Sequence, residues 1–128
     1  MPLPKLTRLE LRIMETLWSK GPCSIRELLE AFPKDDRLAY TTVQTVVYRL
    51  EEKKAVRRTS KSGNAYVFEA VVSRDAARHR MIDDLVAHFG GKRLPIVTHL
   101  IESGKLSPEE LQEARAALRK ATKQEKAK

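Results

Sequence analysis

The chain has 128 residues, with 25 Lys plus Arg against 17 Asp plus Glu and a formal net charge of +8. That length holds one ordinary domain or two very small ones and excludes a large multi-domain enzyme, while the cationic balance favours a polyanionic partner such as nucleic acid. Hydrophobic residues form 41% of the chain, enough for a core, and no apolar run approaches the roughly 18 residues that a membrane span requires.

In chain order, Met1 is followed by Pro2, Leu3, Pro4 and Lys5, a start with no apolar h-region, so a cytoplasmic protein is expected. Thr7 stands three residues before Glu10, a capping box with Leu6 and Leu11 as its hydrophobic staple. The box opens a helix with Leu11, Met14, Leu17 and Trp18 on one face, stopped at Gly21-Pro22. Trp18 reads as core, with a nucleic-acid stacking platform as its alternative. Cys23 is the single cysteine, so neither an intrachain disulfide nor a multi-cysteine zinc site can form within one chain. It reads as a small packing residue, or as a thiol whose pKa is lowered by the adjoining helix start.

A second box, Ser24 to Glu27, opens a short helix carrying Ile25, Leu28, Leu29 and Phe32, and Pro33 ends it. From about Tyr40 to Lys54, Val43, Val46, Val47 and Leu50 recur at i, i+3, i+4 and i+7. The β-branched residues make a strand the competitor, but strict alternation would put Gln44 and Tyr48 on the face of Val46, so the spacing favours a helix. Ala55–Thr59 and Ala65–Ala70 flank Ser62-Gly63-Asn64 and predict a two-stranded ribbon.

Beyond the ribbon the pattern is helical again. Ser73 caps a helix with Met81, Ile82, Leu85, Val86 and Phe89 on one stripe, ended by Gly90-Gly91. Pro95 suits the first turn of a helix carrying Ile96, Val97, Leu100 and Ile101. Ser107-Pro108-Glu109-Glu110, with Leu106 and Leu111 as staple, starts a last helix with Ala114 and Leu118. From Arg119 onward large apolar residues are absent, and a disordered end is expected.

Three helices followed by a basic hairpin describe a winged helix-turn-helix, in which the third helix enters the major groove and the wing lies along the backbone. The outward residues of the third helix, Thr41, Thr42, Gln44, Thr45, Tyr48 and Arg49, suit that role. Gln and Arg pair in bidentate fashion with adenine and guanine, and Thr touches a thymine methyl or a phosphate oxygen. A helix cap at Thr41 or Thr42, with the others solvated, is the alternative. Lys53, Lys54, Arg57, Arg58 and Lys61 form a run of five cations without an acid, assigned to the DNA backbone through the wing; a plain solvated surface is the alternative.

The residues Leu6-Thr7-Arg8-Leu9-Glu10-Leu11-Arg12-Ile13-Met14, Leu17-Trp18, Ser24-Ile25-Arg26-Glu27-Leu28 and above all Tyr40 to Lys53 resemble the penicillinase-repressor family of transcriptional regulators (BlaI/MecI/CopY type). Val56-Arg57-Arg58 through Gly63-Asn64-Ala65-Tyr66 is similar to its wing. The resemblance implies a homodimeric repressor on a palindromic operator, with a helical dimerisation region matching Ser73 to Leu118. It also implies a membrane sensor protease as a partner of the β-lactam-responsive members, which are cut at an Asn-Phe bond; the matching dipeptide, and so the candidate proteolytic switch, is His99-Leu100. The cysteine cluster of the copper-responsive branch has no counterpart in a chain with Cys23 alone.

The expected architecture is therefore mainly α: a winged-helix DNA-binding domain over residues 1–71, a helical dimerisation region over 72–119 and a basic, disordered tail over 120–128. Three short amphipathic helices in the second part cannot bury their stripes against one another alone, which independently favours a two-fold interface. Its residues would be Met81, Ile82, Leu85, Val86, Phe89, Val97, Leu100, Ile101, Leu111 and Leu118. His79 with Asp83 and Asp84 with His88, each at i, i+4, could contribute to a divalent-ion site but supply only two ligands apiece, so surface hydrogen bonding is favoured and no metal or other cofactor is assigned. Catalytic signatures are lacking, with no HExxH, GxSxG or phosphate loop, so no enzyme is expected. A winged helix that binds a protein instead of reading DNA is the alternative function.

Overall fold

The computed structural model describes residues 4–126. The first three residues and residues 127–128, on which the leaderless start and the end of the tail were read, lie outside the described residues. Within them the chain is mainly helical and divides into two compact units, one up to Asp84 and one from Leu85.

The first unit is built from helix α1 (Arg8–Lys20), strand β1 (Cys23–Ser24), helix α2 (Ile25–Glu30), a 3-10 turn at Lys34–Asp36, helix α3 (Tyr40–Glu52), strands β2 (Val56–Ser62) and β3 (Ala65–Ala70), and most of helix α4 (Arg74–His88). Both expected capping boxes form. The Thr7 hydroxyl accepts from the Glu10 N–H and the Glu10 carboxylate accepts from the Thr7 N–H, and Ser24 and Glu27 do the same. Three orphan-bearing helix starts are thus reduced to two self-satisfied ones and α3, whose cap residue is Ala39 with no side-chain cap. The cap role open to Thr41 or Thr42 is therefore not taken: both lie inside the first turn and are exposed.

Helix α3 does form where a strand competed, and its buried residues are the four aliphatics of the i, i+3, i+4, i+7 series, Val43, Val46, Val47 and Leu50. They pack in one core with Ile13, Met14 and Leu17 of α1, Leu28 of α2, and Val56 and Phe68 of the sheet. Burial of this stripe, at about 25 cal/mol per Å² of apolar surface, outweighs the small helix-propensity loss of Val and Thr. Helix α3 ends in a Schellman-type turn, with the Lys54 N–H donating to the Glu51 carbonyl and the Ala55 N–H to that of Leu50. Lys54 holds φ at +64° there, a position usually given to Gly, and the turn passes straight into β2.

The ribbon has three strands, not two: β1 pairs antiparallel with β3, giving the order β1-β3-β2. Two residues carry no alternation, and Ser24 already reads as a helix cap, so β1 is invisible to a pattern search. The second strand runs on to Ser62, three residues beyond the expected Thr59. It contains a bulge at Thr59, between Arg58 paired with Phe68 and Ser60 paired with Val67. At the hairpin, Gly63 alone takes a positive φ, +62°.

Unit one also continues past residue 71. Val72 and Ala77 belong to its core, and the half-buried Trp18 donates its indole N–H to the Val72 carbonyl at 2.8 Å. Trp18 is thus a structural residue, and the beginning of α4, capped by Ser73, belongs with the winged helix and not with the second unit.

The second unit holds the end of α4, helix α5 (Leu94–Glu102), with Pro95 in its first turn, and helix α6 (Pro108–Lys126), opened by the Ser107–Glu110 box. Helix α6 carries residues 120–126, where a disordered tail was expected from 120. Ala, Lys, Gln and Glu are good helix formers and extend a capped helix without a core contact.

Candidate nucleic-acid interface

On α3, Thr41, Thr42, Thr45, Tyr48 and Arg49 are exposed and Gln44 is half-buried. Helical geometry gathers the aliphatics inward and leaves this set on one outer face. Two of its members are already engaged. The Thr45 hydroxyl donates to the Thr41 carbonyl at 2.9 Å, which engages its proton within the helix. The Gln44 amide N–H donates to the Tyr48 hydroxyl at 3.2 Å. Arg49 forms no ion pair among the described residues.

The wing shows a sorted charge pattern. Directly paired residues on antiparallel strands share a face, so Arg58 lies on the side of Phe68 and Arg57 on the side of Glu69. Arg57 accordingly pairs with the Glu69 carboxylate. Arg58 reaches α3, where its Nε and a terminal nitrogen donate to the two oxygens of Glu51 at 2.8 and 3.2 Å. The bulge shifts the alternation by one, which brings Lys61 opposite Tyr66 on that same face, 5.2 Å from the ring centroid.

Lys53 is the C-cap of α3 and Lys54 lies in the turn, so neither belongs to the wing proper. Lys53 turns inward: its Nζ donates to the Glu10 carboxylate at 2.7 Å and to the Lys5 carbonyl at 2.9 Å. Glu10 is 2% exposed. Burial pushes its carboxyl up, but the hydrogen bonds from Lys53 and Thr7 outweigh that and hold it below its usual value. Of the five-cation run, three are therefore paired with acids of the chain itself, leaving Lys54 and Lys61 without an acidic partner among the described residues.

A groove of about 670 Å³ opens between the start of α2, α3 and the wing, lined among others by Arg26, Tyr40, Gln44, Tyr48, Asn64 and Tyr66. Arg26 lies over the Tyr40 ring at 5.9 Å. Arg26, Tyr40 and Tyr66 were not singled out for the site from spacing, because they come from three different elements and meet only through the fold. The basic run was the signal for the charge of the wing, and it does not show which cations are paired.

The remaining candidates separate cleanly. Cys23 is buried, and desolvation, with the nearby Glu27 carboxylate, pushes its thiol up, so the reading as a thiol of lowered pKa gives way to packing. Asp84 accepts from Arg80 at 3.1 Å, and no group of three His, Cys, Asp or Glu residues placed to hold a metal occurs among the described residues. His99 and Leu100 lie within α5. Met81, Ile82, Leu85, Phe89, Val97, Ile101 and Leu118 are exposed, and Val86, Leu100 and Leu111 are half-buried.

Three helices on one core, the third with a polar outer face, and a hairpin bearing cations beside it define the winged helix-turn-helix class. The solution structure of the DNA-binding domain of the repressor BlaI aligns with a TM-score of 0.51 at 23% identity, over 59% of this chain and 90% of that one. The penicillinase repressor family model matches residues 6–120. The transcriptional regulator BlaI of Mycobacterium tuberculosis is 36% identical over 78% of this chain and 76% of its own length. The penicillinase repressor of Staphylococcus aureus is 22% identical over 93% and 94%. The chain belongs to the penicillinase repressor family, and it is a DNA-binding transcriptional repressor and not an enzyme.

Proposed function

We propose that the protein represses transcription in the cytoplasm as a homodimer that binds an inverted-repeat operator, with α3 of each protomer in the major groove. The carrying observation is the outer face of α3, where Arg49 is exposed and Gln44, half-buried, lines the groove beside the wing; these are the two side chains of that face able to read a base in bidentate fashion. Thr41 and Thr42, at the helix start, reach phosphate or a thymine methyl, and Thr45 offers its methyl. Lys54, Lys61 and Arg26 supply the charge that meets the backbone.

Residues 1–71, with the start of α4, form the DNA-binding domain, and the helices that follow supply the dimer interface. Ile82, Ile101 and Leu118, between 49% and 66% exposed, are among the residues whose covering by a second copy would be rewarded. Relief of repression by a membrane sensor protease acting at His99-Leu100 is a further element of this reading. A bond inside a helix has to be unwound before it enters a protease cleft, so cleavage there would follow local opening of α5.

Selection of duplexes from a random pool by the purified chain tests the reading. Recovery of an inverted repeat whose half-site centres lie about one helical turn apart, or a multiple of it, supports it. Enrichment of no sequence, with binding to a protein partner instead, would favour the interaction-module alternative. For about 6 to 10 phosphate contacts, affinity should fall by roughly three to five decades between 50 and 200 mM salt.

A further inference from the structure

We infer that Arg58, although it sits in the basic wing, is a positioning residue that clasps the wing to the recognition helix through Glu51, and that it does not serve as a phosphate contact. The inference rests on the DNA-reading role proposed above and deepens it. Both Glu51 oxygens are taken by the guanidinium in a fork-to-fork pair, the geometry in which Arg binds a carboxylate most selectively. The guanidinium carbon lies 4.6 Å from the Tyr66 ring centroid, 5.3 Å from that of Tyr48 and 5.4 Å from that of Phe68. One side chain thereby ties together α3 and both strands of the wing.

The consequence reaches the base-reading surface. Tyr48, whose ring faces Arg58, accepts the hydrogen bond from Gln44, so the path from the wing to the reading amide is Arg58, Tyr48, Gln44. A phosphate oxygen would have to compete with a carboxylate that already neutralises the cation. Lys61 makes the contrast: it shares that face of the wing and has no acidic partner among the described residues.

The full chain and the duplex it selects provide the test, with Glu51→Gln, Arg58→Gln, Arg58→Lys, Glu51→Gln with Arg58→Gln, and Lys61→Gln as variants. A clasp predicts that Glu51→Gln weakens binding roughly five- to fifty-fold although it removes a negative charge near DNA, and that the double variant loses no more than either single one. Arg58→Lys should behave like Arg58→Gln, because Lys lacks the fork. The salt slope should stay at the wild-type value in all four, and fall by about one unit only in Lys61→Gln.

A phosphate contact predicts the reverse: tighter binding for Glu51→Gln, near-normal binding for Arg58→Lys and a lowered slope for Arg58→Gln. That set of results would overturn the inference. Without DNA, amide hydrogen exchange over residues 57–61 and 66–69 should quicken in Glu51→Gln and Arg58→Lys; unchanged exchange would also overturn it. If the wild-type chain selects no sequence, the DNA-reading role fails by itself, and the exchange measurement still decides whether the clasp exists.

Discussion

Lys53 shows how a residue's charge and its role can part. By position it is one of five cations in a basic run, yet its ammonium closes over Glu10 and the Lys5 carbonyl, joining the end of α3 to the start of α1. Replacement by Met leaves Glu10, already with an unpartnered buried Oε2, without its counter-ion. Lys53→Met should cost about 1–3 kcal/mol of stability in urea unfolding. The Glu10 carboxyl is held below its usual value in the folded chain, so its contribution is complete above the unfolded carboxylate pKa of about 4.3 and is lost as pH falls through the lower folded value. The wild type should therefore lose stability on acidification below about pH 4.3, and Lys53→Met should lose less over the same range. On the reading face, Gln44→Ala should reduce binding to the selected duplex by about 1–3 kcal/mol while leaving random duplex nearly unaffected, as gel-shift titrations of the two would register. Equal losses on both would make Gln44 a backbone contact.

At the scale of elements, α1, α2 and α6 were legible because their starts are written locally, and α3 because its aliphatic residues keep a helical period. A Ser or Thr three residues before a Glu satisfies orphan N–H groups whatever the rest of the chain does, and all three boxes form. The wing was only half legible. Its turn follows from Gly63, at φ +62°, but the bulge at Thr59 that turns Lys61 to the Tyr66 face has no local signature. Strand β1 is too short to show a period and exists because the β3 edge lies beside it. Gly63→Ala forces a side chain into the left-handed region at the tip of the hairpin. It should cost about 1 kcal/mol and, read by hydrogen exchange, loosen the wing ahead of α3.

For the whole molecule the question is what covers the apolar residues of the second unit. Leu94, Ile101 and Leu118 are 72%, 49% and 66% exposed, the first two on α5 and the third on α6. Sedimentation should find the chain as a dimer, and Ile101→Glu together with Leu118→Glu should shift it toward monomer with its helical content retained. Binding to a two-half-site duplex should then fall by far more than binding to a single half-site, since the linked second contact is lost. A variant pair that leaves both mass and operator affinity unchanged would place the interface elsewhere.

The sequence by itself determined the helices, the hairpin turn, the aliphatic face of α3 and its polar outer face, because capping, periodicity and glycine conformation act over a few residues. Only the tertiary structure decided which cations are spent on acids of the same chain, that Arg26, Tyr40 and Tyr66 border one groove, and that the start of α4 belongs to the first unit. Those outcomes depend on strand register and on contacts between residues as far apart as Lys53 and Glu10 or Trp18 and Val72, and local pattern carries no record of such pairings.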